Sequence, residues 1–256
     1  MGKKMTKKDE NLKDLTKKII SKTLEESLEA TMKVQDIINE EPNKKEVLKD
    51  DILKKFDKEK NELKLRRLIT TASVFEIEGS EKYLRKLLDH ENGLIMEEAT
   101  LALGILKDEK SIDTLIKILK NEDHIAREEA AVSLGLMGQD IAVDPLINQL
   151  DDDNVDLVIA SCLALSELQN PKALRPLIRK VVDDNKYIRK YASKAVFTFG
   201  RTALKPLKEA LKEDLDDMFV LKRIYKRRYI NKLIKEIDQS DLTEVKKTYP
   251  TVKSTS

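Results

Sequence analysis

The feature that most narrows the fold of this chain is a tandem repeat between Glu91 and Lys212. Small residues stand at Ala99, Ala130, Ser161 and Ala192, each 31 positions from the last. A second small column runs through Thr100, Ala131, Cys162 and Ser193, and a third through Ala102, Ser133, Ala164 and Ala195. Leucines recur at Leu115, Leu146, Leu177 and Leu207, and four positions on stand Leu119, Leu150, Val181 and Leu211. Asp123, Asn154 and Asn185 mark polar breaks in the same register. One period upstream the register reaches Leu84, Leu88 and Asn92, which places a more degenerate unit over 61–91. A period of this length is the mark of a stacked array, and it governs how every local segment is read.

Each unit reads as two helices, because its apolar positions recur three and four apart. The first helix carries the small columns, which let neighbouring helices approach closely. The second carries the leucines that fill the space between hairpins. A single hairpin cannot bury its own apolar face, so adjacent units must supply the core. Gly104, Gly135 with Gly138, and Gly200 are expected to turn the chain between the two helices, since glycine tolerates positive φ at a helix end. Asn170-Pro171 reads as an N-cap followed by proline in the first turn. Pro145, Pro176 and Pro206 each precede a leucine of the second helix and predict a bend or a late helix start there.

The segments AREEAAVSLGLMGQDIAVDPLINQL and VIASCLALSELQNPKALRPLIRKV resemble short HEAT-type repeats, the variety also called phycobilisome-lyase-like. The resemblance covers roughly residues 61–212. It implies an all-α fold: an α-solenoid of about five helical hairpins. A typical unit opens with an arginine shortly before the alanines; Arg127 and Arg189 fill that slot, whereas Met96 and Val158 do not. The packing should therefore be kept while the polar contacts between repeats vary.

Composition agrees with an all-helical chain. Aromatics are 4% and Trp is absent, while charged residues reach 38%, a mix that suits an aliphatic core under a charged surface better than it suits strands. The net charge of +2 is too small to imply a nucleic-acid or membrane partner by itself. One cysteine, Cys162, allows no intrachain disulfide, so a cytoplasmic setting is expected. No apolar run approaches the length of a membrane span, so no membrane insertion is expected. The basic start, MGKKMTKKDENLKDL, lacks the apolar stretch of a secretory signal.

Outside the array, residues 1–10 are expected to be a disordered basic tail and 11–60 an N-terminal helical cap. Leu12, Leu15, Ile19, Leu24, Leu28, Met32, Ile37 and Ile38 read as one amphipathic helix stopping before Pro42, and Val47 to Phe56 as a second. Capping the array and pairing with a second chain are the two roles open to this segment, so the oligomeric state is left open. Residues 213–240 read as a C-terminal basic capping helix, with an acidic start at Glu213 to Asp217. Residues 241–256 read as a flexible tail.

Two surfaces are candidate binding sites. On the second helices, Lys86, Lys117, Asn148 and Arg179 form a column two positions beyond the core leucines, where side chains should point away from the core. HEAT-type resemblance implies that these helices line a concave face, so the column would be a polar, partly basic ridge for a protein partner. On the C-terminal helix, Lys222, Arg223, Lys226, Arg227, Arg228, Lys232 and Lys235 give seven cations and no acids between Leu221 and Lys235, with Tyr225 and Tyr229 among them. That pattern suits contacts to the phosphates of a nucleic acid, or to an acidic protein. An anionic membrane surface is a weaker fit without Trp.

No catalytic residue, metal site or cofactor is expected. Cys162 shares its column with Thr100, Ala131 and Ser193, where a small buried side chain is wanted. Deoxyhypusine hydroxylases, which are also HEAT-type, hold a di-iron centre with His-Glu pairs in successive repeats. Here His90-Glu91 is followed one period later by Asn121-Glu122, and His124 precedes Ile125, so the converging ligands of such a centre are missing. The sequence thus favours a non-catalytic scaffold for protein–protein recognition. A nucleic-acid-associated protein is the alternative, as is, by the resemblance, an accessory subunit of a lyase-like or protein-modifying complex.

Overall fold

The computed structural model describes residues 7–21, 23–122, 124–212 and 220–239. Every regular element among them is helical, and the fold is an all-α solenoid. The chain divides into two compact units, Met1–Ser111 and Ile112–Ser256, so the array expected as one domain over 61–212 is shared between them.

In the first unit, α1 (Lys7–Ser21), α2 (Leu24–Glu40) and α3 (Lys44–Phe56) precede the first repeat helix, α4 (Glu62–Val74). α1 packs on α2, α3 and α4, and α4 packs on α6 (Gly93–Ile105). Between α4 and α6 lie the short α5 (Glu81–Leu84) and a 3-10 turn, Arg85–Leu87. Leu12, Leu48, Ile52, Leu68, Ile77, Leu84, Ile95 and Leu103 are buried in this unit. Arg67 reaches back to the carbonyls of Ile19 and Ile20, at 3.4 and 3.5 Å, and so satisfies acceptors left open at the end of α1.

Three expectations for this segment change. Residues 7–10 belong to α1 rather than to a disordered tail. The single helix expected from Leu12 to Ile38 is two helices, divided before Leu24. Thr23 accepts from the Glu26 N–H while the Glu26 carboxylate accepts from the Thr23 N–H, a reciprocal capping box that starts α2 afresh. Leu28 and Met32, placed on the buried stripe by spacing, are exposed; once the helix is broken, Ser27, Ala30 and Val34 form the inward face instead.

In the second unit, the first helices of successive hairpins are α8 (Arg127–Met137), α10 (Val155–Leu168) and α12 (Lys186–Thr198), and they pack side by side. The second helices are α7 (Ile112–Lys120), α9 (Val143–Asn148), α11 (Leu174–Lys180) and α13 (Leu204–Lys212). Each packs on the first helix that follows it: α7 on α8, α9 on α10, α11 on α12, and α13 on the closing helix α14 (Val220–Gln239). This is how stacking supplies the core. Leu115, Leu146, Leu177 and Leu207 are fully buried, as are Ala130, Ala131, Ser161, Cys162 and Ala192.

A backbone signal follows the repeat through all five hairpins. Left-handed conformations recur at Glu76, Lys107, Gly138, Gln169 and Gly200, with φ of 46, 52, 70, 52 and 55°. Each lies 31 residues from the last and ends a first helix. At Lys107, the Asp108 N–H donates to the Leu103 carbonyl (3.0 Å) and the Lys107 N–H to the Gly104 carbonyl (3.1 Å), the two bonds of a Schellman turn. Gly104 and Gly135 therefore do not turn the chain; both lie inside helices, in α6 and α8. At Gly135 a Cβ would stand 2.7 Å from the Ala164 Cα, so the glycine is there to let α8 and α10 touch. The prolines mark a late start of the α-helix, one of the two outcomes expected. A 3-10 turn precedes α9, α11 and α13, and Pro145, Pro176 and Pro206 then occupy the third α-helical position, where an N–H would have no partner within the α-helix.

Candidate functional site: two polar surfaces

The polar breaks found by periodicity are helix caps. Asn61, Asn92, Asn154 and Asn185 each accept, through Oδ1, an N–H from the first turn of α4, α6, α10 and α12. The amide of Asn92 donates to Glu62 at 2.7 Å, and that of Asn154 to Glu128 at 3.0 Å. A cap in one unit thus ties down the carboxylate that starts the first helix of the unit before it. Asp123, in the same column, lies outside the described residues. In the same loop, His124 Nδ1 accepts from the Ala126 N–H at 3.2 Å. His90 does the same for Asn92 at 3.0 Å.

Arginines stitch the layers. In the second unit Arg127 is buried; its Nε donates to the Leu119 carbonyl at 3.3 Å, closing the end of α7, and its Nη2 bonds Gln149 Oε1 at 3.0 Å and Asp152. Burial alone would raise the Asp152 carboxyl, but the Asn154 N–H and the Arg127 guanidinium outweigh it and hold the group below its ordinary value. Arg189, in the same repeat slot, donates to the carbonyls of Asp183 and Asp184 at 2.6 and 2.9 Å. In the first unit the corresponding stitches are Arg66 to Glu98 (2.6 Å) and Arg85 to Asp108 (2.6 Å).

Cys162 is fully buried, and burial pushes its thiol up to about 12, so it stays protonated and a poor nucleophile at neutral pH. Among the described residues, no three His, Cys, Asp or Glu side chains are grouped as ligands for a metal ion. No described helix is long and apolar enough to cross a membrane.

The second-helix column is solvent-facing throughout. Lys117, on α7, Asn148, the last residue of α9, and Arg179, on α11, are exposed in the second unit. Because α7, α9 and α11 are successive second helices, the three side chains recur at one height along them. Lys86 is exposed in the first unit, on the 3-10 turn after α5, with its ammonium 5.8 Å from the centre of the Tyr83 ring. Tyr83 in turn stacks on Phe56, with ring centres 5.4 Å apart.

The basic helix is only partly a free face. Ile230, Leu233 and Ile237 of α14 are buried, and Lys226 joins them at 9% exposure. It stands four residues before Ile230, on the same inward stripe, so its alkyl stem packs with the apolar residues instead of belonging to the outer face. Arg227, Arg228 and Lys232 are exposed, and Lys232 pairs with Glu236 at 3.6 Å. The side chains of Lys222 and Arg223 lie outside the described residues, as does the acidic stretch from Glu213 to Asp217. Sequence reasoning missed that α12 lies beside α14 with cations and rings of its own: Lys186, Tyr187 and Lys190 are exposed, and the Arg189 guanidinium lies 5.7 Å from the Tyr229 ring. The signal was present as two Lys-Tyr dipeptides, Lys186-Tyr187 and Lys190-Tyr191, four residues apart.

The HEAT-repeat family matches residues 50–135, 81–162 and 143–221 of this sequence, in overlapping segments that cover most of the chain. This chain is a HEAT-repeat protein. Among solved structures, the complex of CpcE and CpcF of phycocyanin lyase from Nostoc sp. PCC7120 is similar at 16% identity and a TM-score of 0.51, covering 91% of this chain and 96% of that one. An engineered protein is similar at 17% identity and a TM-score of 0.46, over 89% of this chain and 97% of its own. Human deoxyhypusine hydroxylase, in complex with glycerol, aligns at 12% identity and a TM-score of 0.35, over 89% and 97%. At these identities the likeness to the lyase complex is one of fold. No curated protein matches the sequence.

Proposed function

We propose that this HEAT-repeat protein is a non-catalytic scaffold that recognises another protein through the exposed side chains of its second helices. The observation that carries this reading is the column Lys117, Asn148 and Arg179, which the repeat presents to solvent on α7, α9 and α11 at fixed intervals. Such a row suits an extended or acidic segment, because its donors are spaced along a rigid support and lose little freedom on binding. Lys86 holds the same repeat position in the first unit and is exposed there. The buried thiol of Cys162 leaves the one cysteine to packing.

The accessory-subunit reading draws support from the likeness to the CpcE–CpcF complex, in which two chains of a lyase assemble. In that reading the modifying step belongs to a partner and this chain supplies shape.

The test is a quantitative pull-down from native cell extract, comparing wild type with the triple variant Lys86→Glu, Lys117→Glu, Arg179→Glu. The proposal expects a discrete set of proteins to be lost from the variant. An unchanged set would rule this face out as the recognition surface. Recovery of a protein-modifying enzyme among the lost proteins would favour the accessory reading.

A further inference from the structure

We infer that the outer edge of the last repeat, where α12 meets α14, is a binding surface for single-stranded nucleic acid. Exposed cations and aromatic rings are both present there. On α12 the Lys186 ammonium lies 4.8 Å from the centre of the Tyr187 ring and the Lys190 ammonium 5.5 Å from that of Tyr191. Arg189, anchored by the Asp183 and Asp184 carbonyls, lies beside the Tyr229 ring of α14 and so joins the two helices. Lys232, which pairs with Glu236, stands three residues beyond Tyr229, close to its face of α14. α12 contains no acidic residue, and from Lys186 the next acid along the chain is Glu209.

The rings decide the class of polyanion. Tyr187 is 53% exposed and Tyr229 36%, although an ordinary solvated helix face has no need of aromatic side chains. An acidic peptide would be held by the cations alone. Unpaired bases stack on exposed rings while neighbouring cations reach the phosphates between them, the arrangement by which single strands are held without sequence preference. A duplex buries its base faces and could use only the cations. The charge is local: the whole chain carries a formal net charge of just +2, so attraction comes from this edge and not from the protein at large. Arg227 and Arg228 lie on the exposed face of α14 and extend the positive field.

The surface is separate from the second-helix column, so the test of one leaves the other standing. It uses the full chain and fluorescence anisotropy with a labelled oligothymidylate, a duplex of equal length and a poly-glutamate peptide. The single strand is expected to bind most tightly, with log K falling against log salt at a slope of about −0.7 per phosphate contacted. Tyr187→Ala with Tyr229→Ala is expected to weaken the single strand about tenfold or more and leave poly-glutamate unchanged. Lys186→Glu with Lys190→Glu should weaken all three. Because the chain has no Trp, Tyr187→Trp places one indole at the surface, and its fluorescence should be quenched by the oligonucleotide. Since Tyr187 is exposed, that variant keeps the fold and reports even if the double alanine variant is impaired. Absence of binding at low salt, equal binding of poly-glutamate with no effect of the tyrosine changes, or an unquenched indole in a bound complex would each overturn the inference.

Discussion

Gly135→Ala separates packing from helix propensity, because the two predict opposite signs. Gly135 lies within α8, and in a solvent-exposed helix the change to alanine would stabilise by about 1 kcal/mol. Here the added Cβ would stand 2.7 Å from the Ala164 Cα and 2.8 Å from its Cβ. The first contact is with backbone, so no side-chain rotation relieves it; α8 and α10 must separate by several tenths of an ångström. Overpacking of this kind costs about 1–3 kcal/mol, and contact with backbone puts it at the upper end. Subtracting the propensity gain leaves a net loss of roughly 2 kcal/mol. Urea unfolding followed by helical circular dichroism reads this as a lower midpoint at unchanged slope. Ala164→Gly in the same chain removes the contact at 2.8 Å but not the one at 2.7 Å, so it should restore only part of the loss. A neutral or stabilised Gly135→Ala would refute the close approach of α8 and α10.

Lys107 holds a left-handed conformation in a Schellman turn and its side chain is exposed, so Lys107→Gly should raise stability by up to about 1 kcal/mol, seen as a higher urea midpoint. Ser161 is buried with its hydroxyl unsatisfied, in a column filled by alanine in three other units; Ser161→Ala should be neutral or stabilising by about 1 kcal/mol in the same assay. Arg127→Met should cost about 2–3 kcal/mol at neutral pH, because it strips donors from Asp152, Gln149 and the Leu119 carbonyl. The Asp152 carboxyl is held below its ordinary value in the fold, so its contribution is present above that ordinary value and is lost as pH falls through the lowered one. In Arg127→Met the carboxyl should titrate higher, and the gap in stability between wild type and variant should narrow on acidification below about pH 4.

The array was legible because its period repeats in every chemical class at once. Columns of small residues and asparagines agree on 31, the leucine columns follow at 31, 31 and 30, and each has one physical role: close approach, helix capping and core filling. What could not be read were features whose cause lies in the backbone. The left-handed residue falls on glycine at 138 and 200 but on Glu76, Lys107 and Gln169 elsewhere, so its column has no composition to betray it. Gly104 and Gly135 read as turn residues because glycine serves both turns and close packing; their places inside α6 and α8, and for Gly135 the approach of Ala164, decide otherwise. The break at Thr23 was encoded by the Thr23 to Glu26 spacing but was masked by apolar residues continuing at helical intervals on both sides. Charge alone places Lys226 on the basic face, whereas its place on the stripe with Ile230 and Leu233 turns it inward. Of the candidate surfaces, the second-helix column followed directly from the period. The α12–α14 edge did not, because it depends on two helices that are distant in sequence lying side by side.

The core is shared between successive hairpins in a fixed register, so one whole period can be removed and the ends still meet. Excising residues 139–169 deletes 31 positions, joins Gly138 to Asn170, and sets Ala195 where Ala164 had faced Gly135. Circular dichroism and urea unfolding of this shortened chain should show a helical protein that unfolds cooperatively, with a lower midpoint than wild type. A companion deletion of 143–169, four residues shorter, breaks the register and should abolish cooperative unfolding. If the two deletions behave alike, or the in-register chain does not fold, the shared repeating core is contradicted.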